Sequence, residues 1–117
     1  MKVLLAGLVS LLALLPSASA VVISEVFYDA VDLDDGKEFV ELYNPSPTAV
    51  NLTGWKLESG NGAVPGDWEI EATLSGVIPG YGFYLIGEAN VTGANQFANL
   101  DLQNDADAVR IQDLNGV

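Results

Sequence analysis

Hydrophobic and polar residues alternate over several short stretches beyond residue 20, and Gly, Pro, Asn or Asp residues bound each stretch. Such short alternating stretches, rich in β-branched and aromatic residues, predict β-strands. Beyond residue 20 there is no apolar repeat with helical spacing over the length of a helix. The pattern therefore predicts an all-β sandwich, with strands over Val21–Tyr28, Glu38–Asn44, Val50–Glu58 (interrupted at Gly54), Trp68–Leu74, Phe83–Ile86 and Ala108–Asp113.

The first 20 residues have a different pattern. A short basic start that contains Lys2 precedes an almost unbroken apolar run over Val3–Leu15, and Ala18 and Ala20 then fit a small-residue cleavage site. A helix needs roughly 20 apolar residues to cross a bilayer, which is longer than this run. The alternative, a buried first helix of the domain, lacks capping residues and a polar face. We expect a cleavable signal-peptide helix over residues 1–20 and a mature domain over residues 21–117.

The strand pattern also predicts a core. Asn44-Pro45 ends the second predicted strand, because proline has no backbone donor, and Gly54 allows a bend before Trp55, which would fill the space between two sheets. We expect the second strand to be covered on both faces, since its apolar residues occupy both. The predicted core residues are Phe39, Val40, Leu42, Leu52, Trp55, Leu57, Phe83, Leu85, Val109 and Ile111.

Charge narrows the choice of partners. The chain of 117 residues has 16 acidic and four basic residues, a net charge of −12, and loss of the leader with Lys2 makes it one unit more negative. Such a surface repels phosphate backbones, so no direct nucleic-acid partner is expected. No second long apolar segment follows the leader, so no membrane contact is expected after cleavage.

Candidate catalytic groups are few. The chain has no histidine and no cysteine, which excludes Ser-His-Asp chemistry, thiolate nucleophiles and His or Cys metal ligands. Among carboxylates, Glu38 and Glu41 would point to opposite faces of a strand, while Glu69 and Glu71 would share an exposed face. We predict no enzymatic activity and no catalytic residues.

An acidic loop is the candidate metal site. Asp32, Asp34, Asp35 and Glu38 could supply oxygen ligands to calcium. The spacing does not complete a calcium-loop motif, so a solvated acidic loop is the competing interpretation. No other cofactor is predicted.

Two further features concern sugars. Asn51 and Asn90 each begin an N-glycosylation sequon; Asn90 lies in a polar loop, whereas Asn51 adjoins predicted core residues. Four aromatic residues could instead line a sugar-binding face, with core packing as the alternative: Trp55, Trp68, Tyr81 and Tyr84.

Asn115-Gly116 follows the last predicted strand and is a strong hairpin signal. Only Val117 remains for a second arm. We expect that the chain is truncated before its last strand; the alternative is that another chain supplies the missing strand.

Five blocks in order resemble the lamin-tail domain family, in its prokaryotic secreted type. They are an ISEV opening at Ile23–Val26, EFVELYNP at Glu38–Pro45, VNLTGWKL at Val50–Leu57, an I-x-P-G strand at Ile78–Leu85, and an L-x-N-x-x-D ending at Leu102–Gly116. The resemblance covers Val21 to Val117 and implies an immunoglobulin-like β-sandwich. Family members continue into one more strand, which agrees with a truncated domain.

The resemblance, together with the leader, implies a secreted, non-catalytic binding or adaptor module, the N-terminal part of a longer secreted or cell-surface protein. Its expected partner is a protein or a surface glycan. Two alternatives are a carbohydrate-binding module and the targeting domain of a secreted nuclease or phosphoesterase whose catalytic part is missing.

Overall fold

The structure is a computed structural model that describes residues 20–28, 36–61, 64–102 and 107–117. The predicted signal-peptide helix and the candidate ligands Asp32, Asp34 and Asp35 lie outside these ranges. Over the described part, the chain forms strands and turns without a helix, and so offers no helix able to span a membrane. The strands are β1 Val22–Phe27, β2 Phe39–Tyr43, β3 Val50–Asn51, β4 Lys56–Asn61, β5 Trp68–Thr73, β6 Val77–Ile78, β7 Phe83–Gly87, β8 Gln96–Phe97 and β9 Asp107–Gln112.

The largest sheet has four strands in the order β1-β2-β7-β8. Its pairings are antiparallel except between β7 and β8, which run parallel. In β2, Leu42 lies opposite Ile23 of β1 and Tyr84 of β7. The strand with the densest apolar pattern therefore takes an interior place in the sheet.

A three-stranded sheet, in the order β5-β4-β9, and a two-stranded sheet of β3 and β6 complete the fold. Leu57 in β4 lies opposite Ala72 and Ile111, and Val50 pairs with Ile78. All three sheets contribute to one cluster of buried side chains, which is consistent with an immunoglobulin-like sandwich. Its members are Val40, Leu42, Leu52, Trp55, Leu57, Ala72, Leu74, Ile78, Tyr84, Ile86, Leu100 and Leu102.

Predicted core residues separate into two groups. Val40, Leu42, Leu52, Trp55 and Leu57 are buried in this cluster, and Val109 and Ile111 are partly buried against it. The prediction was wrong for β7. Phe83 is 56% exposed and Leu85 only half-buried, because side chains alternate along a strand and Tyr84 and Ile86 take the inward positions.

The second strand differs from prediction as well. Val40 and Leu42 are fully buried on its inner face, whereas its outer residues, Phe39, Glu41 and Tyr43, remain half-exposed. The strand is therefore fully covered on one face only, and the predicted core residue Phe39 lies on the other.

The predicted strand over Val50–Glu58 is two strands in two sheets. Between them, Leu52 accepts a hydrogen bond from the backbone N–H of Trp55 (2.9 Å), and Gly54 adopts φ +87°. A β-carbon on Gly54 would lie 2.7 Å from Leu114 Cδ2, so both the conformation and the close approach favour glycine. The predicted bend is a full change of sheet.

A β-bulge in β5 changes which side chains face the core. Leu57 pairs with Ala72, but the next residue, Glu58, pairs with Ile70, which leaves Glu71 as the extra residue. Ile70 is consequently 55% exposed. Glu71, predicted to face water, is half-buried and accepts hydrogen bonds from Ser59 Oγ and from the Asp101 backbone N–H.

The chain ends on the predicted turn. Gly116, at φ +76°, donates its backbone N–H to the Asp113 carbonyl at 3.0 Å, and Asp113 N–H donates to Val117 O at 3.0 Å. Asp113 Oδ1 also accepts from Asn115 and Val117 N–H groups. These backbone groups therefore find hydrogen-bond partners within the turn itself.

Tyr84 connects the four-stranded sheet to the loop before β6. Its hydroxyl lies within hydrogen-bonding distance of the Ser75 carbonyl and of Gln96 Oε1. Burial raises the pKa of Tyr84, and a hydrogen bond with the Ser75 side chain offsets part of that rise. Folding thus favours the neutral phenol.

We expect Tyr84→Phe to lower the free energy of unfolding by about 1 kcal/mol at neutral pH, because a part-buried hydrogen bond is lost. The native pKa is above the unfolded value of about 10, so this contribution is complete below pH 10 and is lost as pH rises through the native pKa. Urea unfolding near pH 7 and near pH 10.5 should show the two proteins converging at the higher pH. An unchanging difference would mean that Tyr84 does not titrate differently on folding.

Candidate functional site

The outer face of the four-stranded sheet carries the most distinctive exposed chemistry. Residues that pair across β1, β2 and β7 form three rows on this face, which we call the aromatic face. The rows are Val22–Tyr43–Phe83, Glu25–Glu41–Leu85, and Phe27–Phe39–Gly87.

Aromatic rings pair in both outer rows. Phe27 stacks on Phe39, with ring centroids 5.5 Å apart and planes at 10°. Tyr43 and Phe83 are 4.9 Å apart at 36°. Such cross-strand pairs stabilise a sheet by a few tenths to 1 kcal/mol, yet Phe83 remains more than half exposed. These pairs support the sheet and also leave apolar surface open to solvent.

Carboxylates occupy the middle row. Glu25 lies directly opposite Glu41, and like charges in that position destabilise a strand pair. A bulge at Ser24 adjoins them. The Ser24 hydroxyl donates to Glu41 Oε1 at 2.8 Å and thereby orients that carboxylate. Negative charge is therefore held between two aromatic rows.

Gly87 completes the third row without a side chain of its own. Val91 lies on it, so close that a β-carbon on Gly87 would be 2.6 Å from Val91 Cβ. A shallow depression of about 410 Å³ results between β1, β2 and the 90–92 loop; its lining includes Glu25, Phe39, Glu41 and one basic residue, Lys37.

Trp68 lies on the outer face of the three-stranded sheet. The Arg110 guanidinium lies 3.9 Å from the centre of the Trp68 ring, and its Nε donates to Glu58 Oε2 at 2.8 Å. The same ring packs against Gly60, where a β-carbon would approach Trp68 Cε3 at 3.0 Å. Trp68 is therefore engaged by its own neighbours.

The four aromatic residues proposed to line a sugar-binding face do not come together. Trp55 and Tyr84 are buried, Trp68 lies against Arg110 on the opposite outer face from Phe83, and Tyr81 is exposed at a turn. Sequence reasoning missed the exposed Phe83 and the half-exposed Phe27 and Tyr43. The signal was weak, since β7 has apolar residues at four consecutive positions and so does not show which of them face outward.

Of the candidate calcium ligands, Glu38 is described. It is buried, and its Oε2 accepts the Leu102 backbone N–H at 3.1 Å. Its own N–H donates to Glu88 Oε2 at 3.1 Å. Within the described ranges no group of three or more acidic side chains is placed to hold a metal. Calcium binding stays a prediction, and a calcium titration monitored by melting temperature tests it.

Both sequon asparagines are exposed. Asn51 Oδ1 accepts the Thr53 backbone N–H at 3.0 Å. Asn90 donates its backbone N–H to the Gly36 carbonyl at 2.8 Å. The core residues beside Asn51 therefore do not bury it, and glycosylation stays a prediction at both positions.

Two of the sequence motifs form strands and turns of the fold. The EFVELYNP block forms β2 and its turn, and the VNLTGWKL block forms β3, the Gly54 turn and the start of β4. The sequence model of the Lamin Tail Domain matches residues 15–117. The chain belongs to the lamin tail domain family. This is a family of non-catalytic immunoglobulin-like domains, in agreement with the all-β fold. No curated protein sequence matches the chain.

Proposed function

We propose that this lamin tail domain is a secreted, non-catalytic binding module that connects a larger surface or secreted protein to a partner. The observation that carries the proposal is the aromatic face. Phe83 is 56% exposed beside Tyr43, on a sheet whose other face holds the fully buried Val40 and Leu42. Exposed apolar surface on a rigid support is typical of interaction sites.

The architecture of the face suits recognition. Tyr43, Phe39 and Glu41 lie on β2, which is paired on both sides by β1 and β7. Their backbone positions are therefore held before a partner arrives, so binding orders few main-chain groups and costs little conformational entropy.

A peptide library and a glycan array, both probed with the purified full chain, test the proposal. We expect peptide binders whose retention is lost in Phe83→Ser. Ile70→Ser is a matched control, because Ile70 is 55% exposed on the outer face of the other sheet and its replacement should leave binding unchanged. Both variants should retain the melting temperature within a few degrees.

The other outcomes separate the alternatives. Glycans retained through Phe83 would favour the carbohydrate-binding module. If no peptide or glycan is retained, or if retention is equal in Phe83→Ser, the aromatic face is not the binding site. The reading frame beyond Val117 tests the targeting-domain alternative, since a nuclease or phosphoesterase segment would follow.

Secretion is tested separately. The mass of the protein exported by a secreting host should correspond to a chain that begins at Val21. Export of the uncleaved chain, or retention inside the cell, would contradict the leader interpretation and leave the binding proposal intact.

A further inference from the structure

The aromatic face has a charge pattern as well as an apolar one. Along β2, the order is Phe39, Glu41, Tyr43, with each step spanning two residues. Such a step is about 7 Å along a strand. On β1, Phe27, Glu25 and Val22 repeat this order, whereas β7 contributes the apolar residues Leu85 and Phe83. Apolar, acidic and apolar positions thus follow one another at the side-chain repeat of an extended polypeptide.

The acidic row lacks a cationic neighbour across the strands. Glu25 faces Glu41 on one side, and Leu85 completes the row on the other. The Glu41 carboxylate accepts a hydrogen bond from the Ser24 hydroxyl. This bond orients the carboxylate but does not neutralise its charge. Of the residues that line the depression, only Lys37 is basic, and it belongs to the end of the face near Phe39. A cation over Glu25 and Glu41 would relieve their repulsion.

Charge argues against several occupants. A second copy placed face to face would bring four glutamates together in a chain of net charge −12. Nucleic acid and acidic lipid surfaces are repelled for the same reason. A neutral glycan could stack on Phe83 but would leave both carboxylates uncompensated. The complementary occupant is cationic at its centre and apolar on both sides.

We propose that the aromatic face binds an extended segment of a partner protein in which a lysine or arginine is flanked by apolar residues two positions before and two positions after it. The basic side chain lies between Glu25 and Glu41, one apolar side chain contacts Tyr43 and Phe83, and the other contacts Phe27 and Phe39. This inference rests on the proposed function, because it specifies the partner of the same face.

Defined peptides test the charge requirement. The full chain is titrated with acetyl-GVTKTFG-amide, and with the same peptide carrying glutamate or norleucine in place of lysine, by calorimetry or NMR. In low salt, we expect the lysine peptide to bind at least about tenfold more tightly than the glutamate peptide. Its affinity should fall at about 0.5 M salt, because exposed charge pairs are screened.

Variants locate the charge effect on this face. Glu25→Gln combined with Glu41→Gln should weaken the lysine peptide about tenfold and leave the norleucine peptide nearly unchanged. Glu69→Gln, an exposed site on the other sheet, should change neither. Lys37→Gln should strengthen the lysine peptide by removing a like charge. The Glu25→Gln and Glu41→Gln double variant should fold at least as well as the parent, since it relieves a like-charge pair.

Equal binding of lysine and glutamate peptides, or no effect of the double glutamine variant, would overturn the inference. The two proposals fail differently. Library peptides that depend on Phe83 but carry no basic residue would leave the binding module standing and reject the charge pattern. Loss of Phe83 dependence altogether would reject both.

Discussion

Replacing Trp55 by alanine is expected to lower the free energy of unfolding by about 3–5 kcal/mol, as for other buried large aromatic residues. Trp55 is 9% exposed and belongs to the cluster that joins the sheets. Its backbone is fixed on both sides, since its N–H donates to Leu52 O at 2.9 Å and its carbonyl accepts Leu74 N–H at 2.8 Å. The surrounding structure therefore cannot close easily over the lost indole. Urea unfolding followed by circular dichroism measures the loss.

Trp68→Ala is the matched control for this prediction. Trp68 is half-buried on an outer face, where it packs against Gly60 and Arg110. We expect a smaller loss of about 1–2 kcal/mol, from partial burial and one cation–π contact. If Trp55→Ala cost no more than Trp68→Ala, the packing role of Trp55 would be wrong.

Replacing Asn44 by alanine should lower the free energy of unfolding by about 3 kcal/mol. Asn44 is fully buried, and its side-chain amide joins two turns. Its Nδ2 donates to Thr48 O at 2.9 Å and to Pro79 O at 3.1 Å, while Oδ1 accepts from Ser46 N–H at 3.0 Å and Ser46 Oγ at 2.8 Å. Alanine would remove four bonds, leave the Ser46 N–H without this acceptor, and open a small cavity.

Ser46→Ala distinguishes the contribution of the Asn44 amide to stability from that of the Ser46 hydroxyl. Ser46 is half-buried, and this variant removes only the Oγ contacts to Asn44 and Thr48. We expect a loss of about 1 kcal/mol or less. If Asn44→Ala lowered the free energy of unfolding no more than Ser46→Ala does in the same urea titration, the Asn44 bridge between the turns would contribute little to stability.

The EFVELYNP block shows what the sequence can and cannot predict. A run of apolar and β-branched residues followed by Asn-Pro predicted a strand over Glu38–Asn44, and β2 ends at Tyr43, one residue before the predicted end. The role of the Asn44 amide could not be predicted, because its partner Pro79 lies 35 residues away and is brought near by the pairings of β2 with β7 and of β3 with β6.

The candidate site was less predictable than the core. Glu38, Asn51, Asn90 and the aromatic residues were identifiable as candidates, but their positions relative to one another depend on strand register. The bulges at Ser24 and Glu71 decide which side chains share a face, and each shifts the alternation by one residue. Neither bulge has a glycine or proline at its position, so the sequence gives no signal that predicts it.

By itself, the sequence determined the strand character of the chain, the interruption at Gly54, the inward place of Trp55 and the family. These depend on local preferences and on motif order, which neighbouring residues already specify. Tertiary structure alone decided which face of each strand meets the core. In β7, apolar residues at Phe83, Tyr84, Leu85 and Ile86 would satisfy either face, so only pairing with β2 places Tyr84 and Ile86 inside and leaves Phe83 exposed on the aromatic face.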